Sequence, residues 1–113
     1  MASIVAKKLF IGTLLTTSQI TVYTVPAAVG QTRVTEIILA NGSTLDQAPS
    51  IHFVAAGSAA STVNKILPAP TLGANEMLQL QFSSVMTTSD FISIIGSSAN
   101  QVVVYGSGAE LTT

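Results

Sequence analysis

Met77-Leu78-Gln79-Leu80-Gln81-Phe82 sets Leu78, Leu80 and Phe82 on one side of an extended chain and Met77, Gln79 and Gln81 on the other. A period of two is the mark of a strand with one face in a core, because successive side chains of a strand point to opposite sides. The same alternation runs through Ile51, Phe53 and Ala55 against His52, Val54 and Ala56. Around these stretches the chain is rich in β-branched and hydroxyl side chains, which lose rotamer freedom in a helix and fit a pleated surface. Seven or eight such runs are expected, at about 4–14, 19–26, 32–41, 50–56, 62–67, 76–82, 90–96 and 101–106. Their spacing of roughly 8–12 residues, with turn chemistry between them, predicts an all-β antiparallel sandwich or barrel. No repeat or linker divides the chain, so 1–113 reads as one unit, with 1–14 either its first strand or a docking arm.

The punctuation can be placed as well. Asn41-Gly42 predicts a tight turn with positive φ, and 97–100 a hairpin between two apolar strands. Pro26 ends one strand, Gly30 allows a reversal, and Pro68 and Pro70 bracket an extended connection into a turn at 72–75. The Ala-, Ser- and Gly-rich stretch 55–62 reads as a loop. Three runs, 36–40, 92–95 and 102–105, are apolar on both faces. Such strands need a second cover beyond their own core, and in a domain this small a neighbouring subunit is the expected source.

Charge is scarce. Of 113 residues only nine are charged at neutral pH, four basic and five acidic, while 48% are hydrophobic. That composition excludes a charged disordered tail. It also argues against nucleic-acid binding, since a net charge of −1 provides no electrostatic footprint. With no Cys, neither a disulfide framework nor a thiolate zinc site can form. A nearly uncharged surface favours association, whereas designed monomers use about 25–35% charged surface to stay soluble.

Catalytic chemistry finds few groups to work with. His52 is the one imidazole, and Glu36, Asp46, Glu76, Asp90 and Glu110 are well separated along the chain. No nucleophile elbow surrounds any serine, and Gly106-Ser107-Gly108 lacks the lysine of a phosphate loop. Asp46 and Asp90 have no acidic neighbours with which to ligate calcium. Neither an enzyme, a cofactor nor a metal site is expected. Lys7-Lys8 before Leu9-Phe10-Ile11 has the look of a leader, but Gly12 and Thr13 break the apolar run, which is far shorter than the roughly 20 residues of a spanning helix. A first strand is the expected reading, with no membrane insertion. A sugar site would need exposed aromatic faces, for which Tyr23 and Tyr105 are the candidates. Asn41-Gly42-Ser43 matches the N-glycosylation sequon.

Several segments taken together resemble a family of small tailed-bacteriophage virion proteins. They are Ala6-Lys7-Lys8-Leu9-Phe10, then Val22-Tyr23-Thr24-Val25-Pro26-Ala27, then Thr35-Glu36-Ile37-Ile38-Leu39-Ala40-Asn41. Asp90-Phe91-Ile92-Ser93-Ile94, followed by Ala99-Asn100-Gln101-Val102-Val103-Val104 and Glu110-Leu111, matches the C-terminal pair of strands. The 26–32 connection and the 43–62 region depart from the family pattern. The resemblance implies a jelly-roll-like β-sandwich on a virion, as head-decoration (cement) protein or tail component. It implies as partners further copies of the chain, in a trimer or other symmetric oligomer, and a major capsid or tail protein. The N-terminal residues Lys7, Lys8, Leu9, Phe10 and Ile11 are the expected partner contact, docking on an acidic capsid or by strand addition to a neighbour's sheet edge, unless they form an ordinary first core strand with two solvated lysines. The alternative function is a glycan-binding adsorption module of a tail appendage, using Tyr23 and Tyr105.

Overall fold

The computed structural model describes residues 3–67 and 69–112; the expected bracket at Pro68 lies outside them. Eight strands follow in order: β1 (Ser3–Leu14), β2 (Ile20–Thr24), β3 (Gln31–Asn41), β4 (Ser50–Val54), β5 (Lys65–Leu67), β6 (Met77–Thr87), β7 (Phe91–Ile95) and β8 (Val102–Thr112). A 3₁₀ turn at Thr62–Asn64 leads into β5, so the expected strand at 62–67 is half turn. Here the Asn64 carbonyl oxygen Oδ1 accepts from the Ser61 amide, a local bond that competes with the sheet.

Two antiparallel four-stranded sheets form, a long one in the order β1-β8-β3-β6 and a short one in the order β2-β7-β4-β5. β1 pairs with β8, β2 with β7, β3 with β6 and β4 with β5. Each pair encloses the next in sequence, as though one long hairpin had been rolled up, and that is the jelly-roll topology. The expected β-sandwich is therefore present, in its jelly-roll form.

The core lies between the sheets. Val34, Ile37 and Leu39 of β3 and Val102 and Val104 of β8 are fully enclosed, opposite Ile51 of β4 and Ile92 and Ile94 of β7. Each such side chain contributes about 1.5–3 kcal/mol relative to leaving it in water. Leu9 and Phe10 of β1 belong to the same cluster. A register shift between Lys8 and Phe10 turns both of them inward, against strict alternation.

β6 and β8 run five or six residues further than the sequence predicts, through Ser83-Ser84 and through Gly106-Ser107-Gly108. The glycines of β8 are not breaks. A Cβ on Gly106 would collide with the Phe10 ring, and one on Gly108 with the Arg33 carbonyl, so these positions mark close approach inside the sheet.

Two turn expectations are corrected. Neither Asn41 nor Gly42 has a positive φ. Asn41 ends β3 inside the protein, where its amide nitrogen reaches the carbonyls of Leu45, Leu72 and Gly73 at 2.8–3.1 Å. The amide brackets two loops, and Oδ1 accepts from Ser43 N at 3.0 Å and Ser43 Oγ at 2.8 Å, an Asx turn that needs no positive φ. The 97–100 segment is not a hairpin either, because β7 lies in the short sheet and β8 in the long one. It is a corner between sheets, tied to the β1–β2 corner by Gly96 N to Thr16 O (2.8 Å) and Asn100 N to Leu15 O (2.9 Å).

Candidate assembly surface

The outward face of the long sheet follows from strand alternation. Beyond the bulge at Thr35, β3 points Ile37 and Leu39 inward, which leaves Glu36, Ile38 and Ala40 outward. Across the ladder Ile38 stands opposite Tyr105 of β8 and Gln79 of β6, and Ala40 opposite Val103 and Met77. Further along, Arg33 faces Ala109 and Val85, while Ile4 of β1 sits beside Leu111. Large apolar side chains are left in solvent here: Ile4 is 75% exposed, Met77 62%, Ile11 58%, Val85 51% and Tyr105 44%.

Two shallow apolar grooves run along this face. One, of about 340 Å³, is lined by Ile4, Val85, Ala109 and Leu111 with Gln31 and Arg33. The other, of about 320 Å³, lies among Ile11, Ile38 and Tyr105, with Lys8 and Glu36 at its rim. Glu36 is held in place by a hydrogen bond from the Gln79 side-chain amide. The expected two-sided apolar strands β3 and β8 thus have their second faces here.

The predicted contact segment divides. Lys8 and Ile11 lie on the outward face. Leu9 and Phe10 are core residues at 8% and 6% exposure and cannot meet a partner without unfolding the edge. Lys7 is drawn inward, its Nζ donating to Glu110 Oε1 at 3.0 Å. Of the two readings of 1–14, first strand and docking arm, Ser3–Leu14 takes the first, as β1 of its own sheet paired with β8.

Tyr23 is likewise committed internally. Its hydroxyl lies 2.6 Å from Glu110 Oε2, to which it donates, and 2.8 Å from Thr32 Oγ1. Burial, and then the Glu110 carboxylate, push the Tyr23 pKa up to about 12. The same bond from Tyr23, followed by Lys7, holds the Glu110 carboxyl below the usual carboxylate range, against its burial. This cluster ties β2 of the short sheet to β1, β3 and β8 of the long one. Of the two tyrosines, Tyr105 alone offers an exposed ring, and it lies in the second groove.

The short sheet turns a different outward face to solvent. His52 and Ser93 are paired there and buried. Ser93 Oγ donates to Gln19 Oε1 at 2.7 Å, and Lys65 stands opposite His52. Burial, and then Lys65, lower the His52 pKa, and its Nδ1 has no hydrogen-bond partner among the described residues. Asp90, another candidate from the sequence, is a turn-forming group. Its carboxylate accepts from Thr87 N and Oγ1 and from Ala56 N, which together outweigh its burial and lower its pKa. Among the described residues no three acidic or imidazole groups converge as a metal site would require. The Asn41 amide, buried at 2% exposure and hydrogen-bonded, is closed to glycan attachment in the folded chain.

No family model matches the sequence, and no curated protein matches it. Solved structures do. A subunit of Bacillus endospore appendages, described as a family of disulfide-linked pili, aligns with a TM-score of 0.63 at 14% identity, covering 99% of this chain and 90% of that one. A protein of the T13 infectious bursal disease virus particle aligns with a TM-score of 0.64 at 11% identity, covering 98% of this chain but 31% of its own. The chain therefore spans about a third of that viral protein. The Drosophila NLP core, a pentamer-forming histone binder, aligns with a TM-score of 0.50 at 14% identity over 95% of this chain and all of that one. At these identities the likeness is one of fold: the jelly roll is shared with viral particle proteins and with a pilus subunit.

Proposed function

We propose that this chain is a non-enzymatic structural protein of a bacteriophage virion, assembling as a homo-oligomer on the capsid surface as a decoration protein or in the tail. The observation that carries the reading is the outward face of the long sheet, apolar and grooved, with charge confined to Lys8, Arg33 and Glu36. Four strands about 4.8 Å apart and eleven residues long at about 3.3 Å each give a face on the order of 700 Å². A standard interface takes roughly 600–1,000 Å² from each partner. The face is therefore large enough to hold a subunit in place by itself. Lys8 and Arg33 with Glu36 offer both charge signs for a partner to match. The resemblance of the sequence segments to small tailed-phage proteins supplies the virion setting, and fold-sharing with a viral particle protein supports it.

A second reading, a subunit of a cell-surface appendage, is favoured by the end-to-end alignment with the endospore pilus protein. Disulfide linkage is not open to this chain, which has no Cys. The glycan-binding alternative keeps Tyr105 as its platform and loses Tyr23, whose hydroxyl is bonded internally. The test is to label the chain in purified phage particles and image them at low resolution. Label on capsid or tail supports the virion reading; particles that lack the chain overturn it in favour of the appendage.

A further inference from the structure

The long sheet ends in β1 on one side and β6 on the other, so each has a row of backbone N–H and C=O groups unused within the sheet. The two edges are built differently. β1 carries Lys7 and Lys8, two register shifts, and Gly12 in the left-handed region at φ +54°, all features that blunt an edge. The eleven residues of β6 contain no charge, no Pro and no Gly, and although the ladder to β3 shifts register once, between Ser84 and Gln81, their exposure alternates from end to end. Its inward row is also incompletely covered. Leu78, Leu80 and Phe82 are half-buried, while Val34, Ile37 and Leu39 on the neighbouring strand are fully enclosed. Phe53 of β4, packed on Phe82 with ring centres 5.3 Å apart, is half-buried too. The core is unfinished along this one edge.

We propose that β6 pairs antiparallel with β6 of a second copy, joining two long sheets across a twofold axis. The inference rests on the reading of the chain as a self-associating subunit and names one joint through which it associates. The sequence of β6 fits itself. Because side chains alternate with period two, inward rows meet inward rows only when the axis passes through a residue and not between two. Full overlap of Met77–Thr87 puts that residue at Phe82. Leu78 then opposes Met86 of the second copy and Leu80 opposes Ser84, on the core side. Gln79 opposes Val85, and Gln81 opposes Ser83, on the outer side. No like charges meet, and the two Phe82 rings close the open end of both cores.

Sedimentation of the full chain over a range of concentration, with circular dichroism to monitor folding, tests this. The parent chain is expected to associate. Gln81→Lys/Ser83→Lys, at exposed outward positions, is expected to stay folded and to associate at least about tenfold more weakly, since it clusters lysines across the axis. Gln81→Glu/Ser83→Glu is expected to do the same, and an equimolar mixture of the two variants to recover association. A monomeric parent overturns the self-association reading and this joint with it. A parent that associates, with variants that associate equally well, overturns the β6 joint alone. Variants that weaken association without recovery on mixing also overturn it, and point to a different strand or a foreign peptide at that edge. Amide exchange on the unaltered chain gives a check that needs no variant: β6 amides are expected to lose protection on dilution, and unchanged protection overturns the joint.

Discussion

The outward faces of the two sheets are made from similar residues and end in opposite states. On the short sheet Val54 is 1% exposed and His52 3%, although both point away from the main core. On the long sheet Val85 and Tyr105 point outward and stay in solvent. The short strands, three to five residues each, are overhung by their own connections, as Gln19 lies over Ser93. The long strands run eleven or twelve residues and have no such cover among the described residues. Side-chain type does not decide which face is left open to solvent. Strand length, relative to the loops available to cover it, does.

That comparison can be broken or sharpened by substitution. The inner faces should be equivalent. Ile37→Ala beneath the long sheet and Ile94→Ala beneath the short one should each cost about 2–5 kcal/mol in denaturant unfolding, and a large inequality would mean one sheet dominates folding. Gly108→Ala should cost about 1–3 kcal/mol by forcing Cβ against the Arg33 carbonyl. An unchanged unfolding midpoint would show that the long sheet can splay there. The two outward valines give the sharpest contrast. Val54→Ala should lower stability by roughly 1–2 kcal/mol, and Val85→Ala by less than about 0.5 kcal/mol in the monomer. Similar values would remove the distinction between a closed and an open face.

The smallest effect concerns the polar tie between the sheets. The Glu110 carboxyl is lowered in the fold, so its contribution is complete above the ordinary carboxylate pKa and is lost as pH falls through the folded value. Tyr23, raised to about 12, contributes fully below pH 10 and loses that contribution as pH climbs toward 12. Glu110→Gln should flatten the acid limb of a stability–pH profile and cost on the order of 1 kcal/mol at neutral pH, with half-exposed Lys7 adding little. An acid limb that survives the substitution would shift the cause to Asp90 or to His52, whose lowered pKa also removes stability as pH falls below its ordinary value.

Much of this was legible in the residues. Alternation in 77–82 located the inward row of β6, and each expected run holds an observed strand. Double-sided apolarity in 36–40 and 102–105 pointed to a face in need of cover, and that face is the long sheet's outer side. The strands were underestimated where glycine and serine imitate breaks, because close packing of Gly106 under Phe10 is a property of the partner strand and not of the local sequence. Strand alternation sends Lys7 and Lys8 to opposite faces, but which of them turns inward depends on Glu110, more than a hundred residues away. Asn41 keeps its turn chemistry through Oδ1 on Ser43, but its amide is also a buried bracket, because carbonyls 31 and 32 residues away come within its reach.

The sequence by itself determined an all-β chain, poor in charge, with more apolar strand surface than one core can use. Local periodicity and composition are enough for that, since both are read within a few residues. Only the tertiary structure decided which surface is left over: the outward face of β1-β8-β3-β6 and the uncharged edge at β6. Rolling the hairpin sets which strands lie at the edges and which faces the loops can reach, and those relations join residues up to about a hundred positions apart.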